Sequence, residues 1–300
     1  MASAKVIDDK FLNRLETASL YVRTNMQGYF GGNHQTHFHG STVEFADYRE
    51  YVLGDDIRRI DWNLYSRFEK YFIKLFVDER QMHIQTFLDC SASMQKADSE
   101  KALYAMRVAA AIGFLSVQNM DRTSIRLIKG DVAEDLCGTI TGKNSFYRGI
   151  AKFDSLQFKG DSDLEKAIIH CPSPGSNNGL TVIISDFMTD SNWKKAVDYL
   201  LFQKRQVMLI QVLSPEEVNP EYNGRIRLVD IEADDPMDDR HIKMKITKSH
   251  IKAYKEALKD FIDDIKHFCS SREVDFVSVT SDEPIEKLLF ERLFVTGIIR

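Results

Sequence analysis

The sequence predicts an α/β protein, a doubly wound and mostly parallel sheet with helices on both faces, preceded by a smaller N-terminal region with strands. Three observations predict it. Ile84-Gln85-Thr86-Phe87-Leu88 and Leu180-Thr181-Val182-Ile183-Ile184 are apolar runs of strand length, as expected of strands covered on both sides. Each leads into an acidic residue, Asp89 in one case and Asp186, after Ser185, in the other. Stretches of helical periodicity alternate with these and with further strands, which is the pattern of βα units. Ligands on such sheets bind outside the carboxyl ends of the strands, where Asp89 falls.

Composition sets the outer bounds. With 43% hydrophobic and 28% charged residues, the 300-residue chain reads as globular and long enough for one large domain or two. A net charge of −5 argues against the basic field that nonspecific nucleic-acid binding requires. Cys90, Cys137, Cys171 and Cys269 stand apart with no Cys-x-x-Cys pair, which suits a reducing compartment. The first ten residues lack a hydrophobic signal core, and apolar runs such as Val108 to Leu115 are far shorter than the roughly 20 residues of a spanning helix. Cytoplasmic location without a membrane span is the expectation.

Taken in order, Phe11, Leu12, Leu15, Ala18 and Val22 predict an amphipathic helix over residues 8–25, broken by the glycines at 28, 31 and 32. His34, His37 and His39 follow; lacking a nearby carboxylate or cysteine to complete a tetrahedral set, they read as hydrogen-bonding loop histidines. Residues 44–67 are dense in Arg, Asp and aromatic side chains. A structural network of guanidinium and carboxylate pairs is the preferred reading over a binding surface. Tyr71 to Val77 reads as a strand. After the Asp89 turn, Asp98 or Ser99 is placed to cap a helix carrying Leu103, Met106, Ala110, Phe114 and Val117. Ser124 to Ile128 is a strand, Leu136 to Thr141 a short edge strand, and Phe146 to Phe153 a helix.

A helix from Leu164 to His170 precedes the second apolar strand; a helix at Trp193 to Phe202 and a strand at Val207 to Leu213 follow it. Residues 214–248 interrupt the alternation with two short extended runs, Arg225 to Ile231 and His241 to Ile246. The acidic tract at 234–239 between them reads as a solvated hairpin tip. Ile251 to Phe268 is helical, Val274 to Val279 a strand, and Glu283 to Phe294 a closing helix. The expected division is residues 1–79 as the N-terminal region and 80–300 as the α/β domain, with a hairpin-like insertion at about 214–248.

The chemistry concentrates in Asp89-Cys90-Ser91-Ala92-Ser93. An acid at a strand end, with hydroxyls two and four positions on, aims three hard oxygens at one point, and hard oxygens suit Mg²⁺. A single carboxylate in the turn leaves residual positive charge on such an ion and an open position for a partner's acidic group. The competing reading is ordinary turn chemistry, in which Ser and Asp cap backbone N–H groups. Two further stretches place oxygens at the same edge: Ser162, within Gly160-Asp161-Ser162-Asp163-Leu164, and Asp186. For the first of these the alternative is an N-cap by Ser162 or Asp163.

Asp89-x-Ser91-x-Ser93 with Ser162 and Asp186 resembles the metal-ion-dependent adhesion site (MIDAS) of von Willebrand factor A domains, whose metal is usually Mg²⁺. Gly32-x-His34, Gly40, Glu44-Phe45, Arg49-x-Tyr51, Gly54-Asp55-Asp56-x-Arg58-x-Ile60-Asp61-Trp62 and Arg67 resemble the signature of a bacterial family of unknown function that carries such a domain. Its members are often encoded beside MoxR-type AAA+ ATPases. The likeness covers about residues 27–300. It implies a von Willebrand factor A-like fold, with Asp89, Ser91 and Ser93 as the first metal loop, Ser162 as the second-loop hydroxyl and Asp186 as the third-loop acid. Mg²⁺, or another divalent cation such as Mn²⁺, is the implied cofactor, and a MoxR-type ATPase or its substrate the implied partner. One departure stands out. Adhesion sites usually have Thr, often in Gly-Gly-Thr-Asp-Leu, where this chain has Ser162, so the methyl that fixes the rotamer is missing and Asp161 adds negative charge.

The function expected is a metal-dependent protein-binding adaptor rather than an enzyme. No Gly-x-x-x-x-Gly-Lys-Ser/Thr loop is present to hold nucleotide phosphates. One alternative is a Mg²⁺-dependent phosphatase-like enzyme with Asp89 as nucleophile, although the second Asp such enzymes use two positions on is here Ser91. Another is a structural subunit whose site stays empty.

Overall fold

The structure, a computed structural model, describes residues 7, 10–16, 43–78, 82–95, 100–172, 179–221, 224–229 and 241–293. The histidines at 34, 37 and 39, the cap candidates Asp98 and Ser99, and the acidic tract 234–239 lie outside these residues, as does the rest of the expected first helix apart from 10–16. Two compact units are formed, one from Met1–Thr24 with Met82–Arg300 and one from Asn25–Gln81. Helical residues 10–16 (α1) therefore group with the larger unit and not with the rest of the first 79 residues. They place Phe11 and Leu15 in its core.

In the smaller unit, β1 (Val43–Glu50) pairs antiparallel with β2 (Phe72–Asp78), with a register shift between Phe45 and Asp47. A 3-10 turn at Ile57–Arg59 and a helix, α2 (Trp62–Phe68), connect them. Asp61 ties the unit together. Its Oδ1 accepts from the backbone N–H groups of Asn63 (2.9 Å) and Leu64 (3.3 Å), capping α2, while Oδ2 accepts from the Tyr48 hydroxyl (3.2 Å) and pairs with Lys74 (2.9 Å). The Lys74 ammonium holds the Asp61 carboxyl below the usual carboxylate range. Arg49 pairs with Asp55, whose other oxygen accepts from Val52 N–H. These acids are committed to local structure.

The sheet of the larger unit comprises β3 (His83–Asp89), β4 (Arg122–Lys129), β5 (Val132–Asp135), β6 (Leu180–Ser185), β7 (Gln206–Leu213) and β10 (Asp275–Thr280), in the order β10-β7-β6-β3-β4-β5. All neighbours are parallel except β4 and β5. The edge strand is therefore Val132–Asp135, not Leu136 to Thr141. Gly130, at φ 57°, turns the chain so tightly that Lys129 pairs with Val132, and of the expected segment only Ile140 makes a bridge, to Thr123. A separate antiparallel pair, β8 (Gly224–Val229) with β9 (His241–Ile246), lies within the expected insertion.

Helices cover both faces because successive strand residues point to opposite sides. Leu88, Leu127, Ile184 and Val212 pack with α3 (Lys101–Gln118) and α4 (Lys143–Ile150). Phe87, Ile128, Ile183 and Leu209 pack instead with α5 (Leu164–Ile169), α6 (Trp193–Phe202) and α8 (Lys248–Ser270). The architecture is the doubly wound α/β fold that the sequence predicts. α3 is buried on nearly every side, and small residues let its neighbours approach: a Cβ at Gly113 would stand 3.0 Å from the Phe146 ring. Its N-cap is Glu100, which makes no side-chain cap bond. The short α7 (Pro215–Val218) starts the 214–248 region with a capping box between Ser214 and Glu217. The expected closing helix begins after Pro284, which is the N-cap of α9 (Ile285–Lys287), and continues as a π-helical turn at Leu288–Leu293. No helix among the described residues is long and apolar enough to cross a membrane.

At the amino-terminal ends of the strands, His83 sits 3.0 Å from Ser124 Oγ through Nε2, and Arg205 donates to the carbonyls of His83 (2.9 Å) and Leu180 (2.8 Å). Burial, and then the positive charge of Arg205, push the His83 pKa down to about 4. The unfolded chain takes up this proton near pH 6.5 and the native one only near pH 4, so stability present above pH 6.5 is lost as the pH falls between those values. The loss from this residue is roughly 3 kcal/mol at most. Urea denaturation at pH 7 and pH 4.5 should show a smaller difference for His83→Gln than for the wild type.

Candidate metal centre

Order and register of the strands create the site. β4 lies on one side of β3 and β6 on the other, so the connections diverge at the carboxyl ends of β3 and β6, where open α/β sheets bind ligands. Gln85 to Leu88 pair with Thr181 to Ile184, which brings Asp89 level with Ser185 and next to Asp186.

Asp89 is 1% exposed. Its Oδ1 accepts from the Ser91 backbone N–H at 3.0 Å, and its Oδ2 accepts from the Ser185 hydroxyl at 2.6 Å. Ser185 Oγ in turn accepts from Phe187 N–H at 2.9 Å. Burial, followed by the negative charge of Asp186, raises the Asp89 carboxyl above its ordinary range, and the hydrogen bonds from Ser185 and Ser91 oppose that shift. Ser91 Oγ and Ser93 Oγ lie 3.0 Å apart, so the first loop collects its carboxylate and both hydroxyls in one place.

Ser162 is buried on the adjoining loop, which is fixed through its backbone. Gly160 O accepts from Ala92 N–H at 2.8 Å, Ser162 O accepts from the Thr189 hydroxyl at 2.9 Å, and Ser162 forms a parallel bridge with Gly130. The cap of α5 is Asp163, which accepts from Lys166 N–H; Ser162 has no part in it. Asp186 is 2% exposed. Its Oδ1 accepts from Met188 N–H at 2.9 Å and its Oδ2 pairs with Lys101 at 2.7 Å.

Lys101 was absent from the sequence-derived set. It is the first residue of α3, its side chain is 0% exposed, and its ammonium also reaches Glu217 Oε1 at 2.9 Å and Ser93 O at 3.3 Å. Burial alone would lower its pKa, but the charges of Asp186 and Glu217 outweigh burial and raise it. Ser185 and Glu217 were missed as well. The available signals were a lysine opening a helix, where the dipole disfavours positive charge, and the Ser-Pro-Glu-Glu capping box at 214–217.

The donor set suits a hard divalent cation. Asp89, Ser91 and Ser93 offer a carboxylate and paired hydroxyls, and the mutual repulsion of two buried acids is relieved by positive charge between them. Among the described residues no group of three or more His, Cys, Asp or Glu side chains could hold a metal ion, so any such site here draws on hydroxyls. Ser185 is needed whether or not a metal is bound, because its hydroxyl is the donor to Asp89 Oδ2. Ser185→Ala leaves that buried oxygen short of a partner and should lower stability by about 1–3 kcal/mol in guanidinium denaturation, whereas Ser93→Ala should change it by less than about 1 kcal/mol.

Two curated mycobacterial proteins, the uncharacterised Rv1480 of Mycobacterium tuberculosis and Mb1516 of Mycobacterium bovis, are each 29% identical over 238 residues, covering 78% of this chain and 74% of theirs. Among solved structures, the conserved hypothetical protein BatB from Bacteroides thetaiotaomicron is 14% identical, covering 72% of this chain and 98% of its own at a TM-score of 0.43. The SpRpn10 VWA domain is 10% identical, covering 71% and 95% at a TM-score of 0.42. The model of the family described as "Protein of unknown function DUF58" matches residues 47–259, and the chain belongs to that family.

Proposed function

We propose that the chain is a protein-binding adaptor whose MIDAS-like centre captures an acidic group of a partner through a divalent cation. The supporting observation is the convergence of Asp89, Ser91 and Ser93 with the loops of Ser162 and Asp186 at the divergence of β3 and β6. Asp89, Ser91 and Ser93 would hold Mg²⁺ or Mn²⁺, with Ser162 and Asp186 completing the set. The ion supplies Lewis acidity toward a carboxylate, which is the chemistry of capture and not of turnover. Ser185 orients Asp89, and Met188 N–H with Lys101 orients Asp186, so the carboxylates are held before an ion arrives.

On the resemblance of the upstream signature, the partner assigned is a MoxR-type AAA+ ATPase or its substrate, acting in the cytoplasm. Pull-down with purified MoxR-type ATPase in Mg²⁺ and in EDTA tests this reading. Capture should occur in Mg²⁺ and be lost in EDTA. Asp89→Ala should weaken it at least about tenfold while leaving the melting temperature within a few degrees, since the side chain lies at the strand ends and outside the apolar layers. Capture by Asp89→Ala equal to wild type would overturn the proposal, as would Mg²⁺-dependent phosphatase turnover abolished by Asp89→Asn.

A further inference from the structure

We infer that Lys101 is a built-in counter-cation of Asp186, which holds down the affinity of the centre for a divalent ion and leaves that ion's charge available to a partner. The inference rests on the metal-centre reading above and goes beyond it by assigning a residue outside the adhesion-site pattern. Burying an ammonium completely is unfavourable unless it is paired, and the start of a helix adds an opposing dipole. Lys101 meets both conditions and is retained by three oxygens: Asp186 Oδ2 at 2.7 Å, Glu217 Oε1 at 2.9 Å and Ser93 O at 3.3 Å. The ammonium thus lies between the third-loop acid and the main chain of the first metal loop.

Charge decides what this arrangement does. Both Asp186 oxygens already have donors, one of them a full positive charge, whereas the donors to Asp89 among the described residues, a backbone amide and serine hydroxyls, are all neutral. An incoming cation therefore meets one carboxylate, Asp89, whose charge is unopposed among the described residues, and a second that is already neutralised. It is also repelled by the ammonium through a medium of low dielectric constant. An ion held in this way keeps more of its positive charge than one shared by two free carboxylates, and a partner's acidic side chain is the group that completes it. Glu217 steadies the device: its Oε2 accepts from Ser214 N–H at 2.7 Å, so the capping box of α7 fixes the second acid on Lys101.

Calorimetric titration of the full chain with MnCl₂ tests the assignment. Lys101→Met should bind Mn²⁺ at least about tenfold more tightly than the wild type. Asp186→Asn should cost the wild type less than about threefold but remove most of the gain in the Lys101→Met background, a coupling that a packing role for Lys101 would not produce. Lys101→Met/Glu217→Gln, compared with Glu217→Gln alone, should show the same gain with one fewer buried acid, and keeps the test open if Lys101→Met does not fold. Equal or weaker Mn²⁺ binding by the folded lysine variants overturns the inference. Binding by Lys101→Met but not by the wild type supports the counter-cation and overturns metal-dependent capture by the native chain. Absence of binding in both overturns both.

Discussion

Four residues of β3, Gln85 to Leu88, lie against Thr181 to Ile184 of β6, and the acidic groups of the candidate centre take their positions from that pairing. The register is firm because both strands are buried along their whole length: a one-residue slip would exchange Phe87 and Leu88 between two different apolar layers. With the register set, Ser185 stands beside Asp89 and donates to it across the strand boundary. The next residue along the chain is Asp186, so two acids are brought near each other at a place where burial makes the second one costly.

The chain meets that cost with fixed donors of graded strength. Among the described residues Asp89 receives only neutral hydrogen bonds, which orient it but leave its charge unopposed. Asp186 receives a neutral amide and a buried ammonium. The two carboxylates are consequently not equivalent. This asymmetry arises from α3, whose first residue carries the ammonium and whose remaining turns form the centre of one apolar layer. Movement of the α3 start is resisted by its packing, so Lys101 has few alternatives to the position it occupies.

Much of this was legible in the sequence where burial and periodicity act together. The apolar runs before Asp89 and Asp186, and the helices at 164–170 and 193–202, read correctly because a strand or helix with one dominant environment leaves a simple pattern. Failures came where a local turn or a distant partner decides. The Gly130-Asp131 turn moved the edge strand to Val132–Asp135, and the last helix starts only after Pro284 and turns π-helical at Leu288. Lys101 could not be placed from spacing, because its partners Asp186 and Glu217 are 85 and 116 residues away in the chain. Ser185 was hidden for a related reason, since only the β3–β6 register shows that its hydroxyl faces Asp89.

The replacement of Thr by Ser at the second loop has a physical answer in the same neighbourhood. A Thr methyl restricts the side chain, and Ser162 lacks that restriction. The loop is held through its backbone instead: Asp161 Oδ1 accepts from Ser162 N–H at 2.6 Å, Asp161 O from Gly130 N–H at 3.1 Å, Gly130 O from Asp163 N–H at 2.8 Å, and Ser162 O from the Thr189 hydroxyl at 2.9 Å. Those bonds fix the main chain from which the hydroxyl extends and leave only rotation about χ1 to be settled. They also engage Asp161, which bonds to the backbone of its own loop while Asp161 itself is exposed, so its charge is screened by solvent. Among the described residues the charge balance of the centre therefore rests on Asp89, Asp186, Glu217 and Lys101. At full ionisation the three acids carry −3 and Lys101 brings the four to about −2, so the lysine spares one unit of a bound divalent cation's charge that the acids alone would offset.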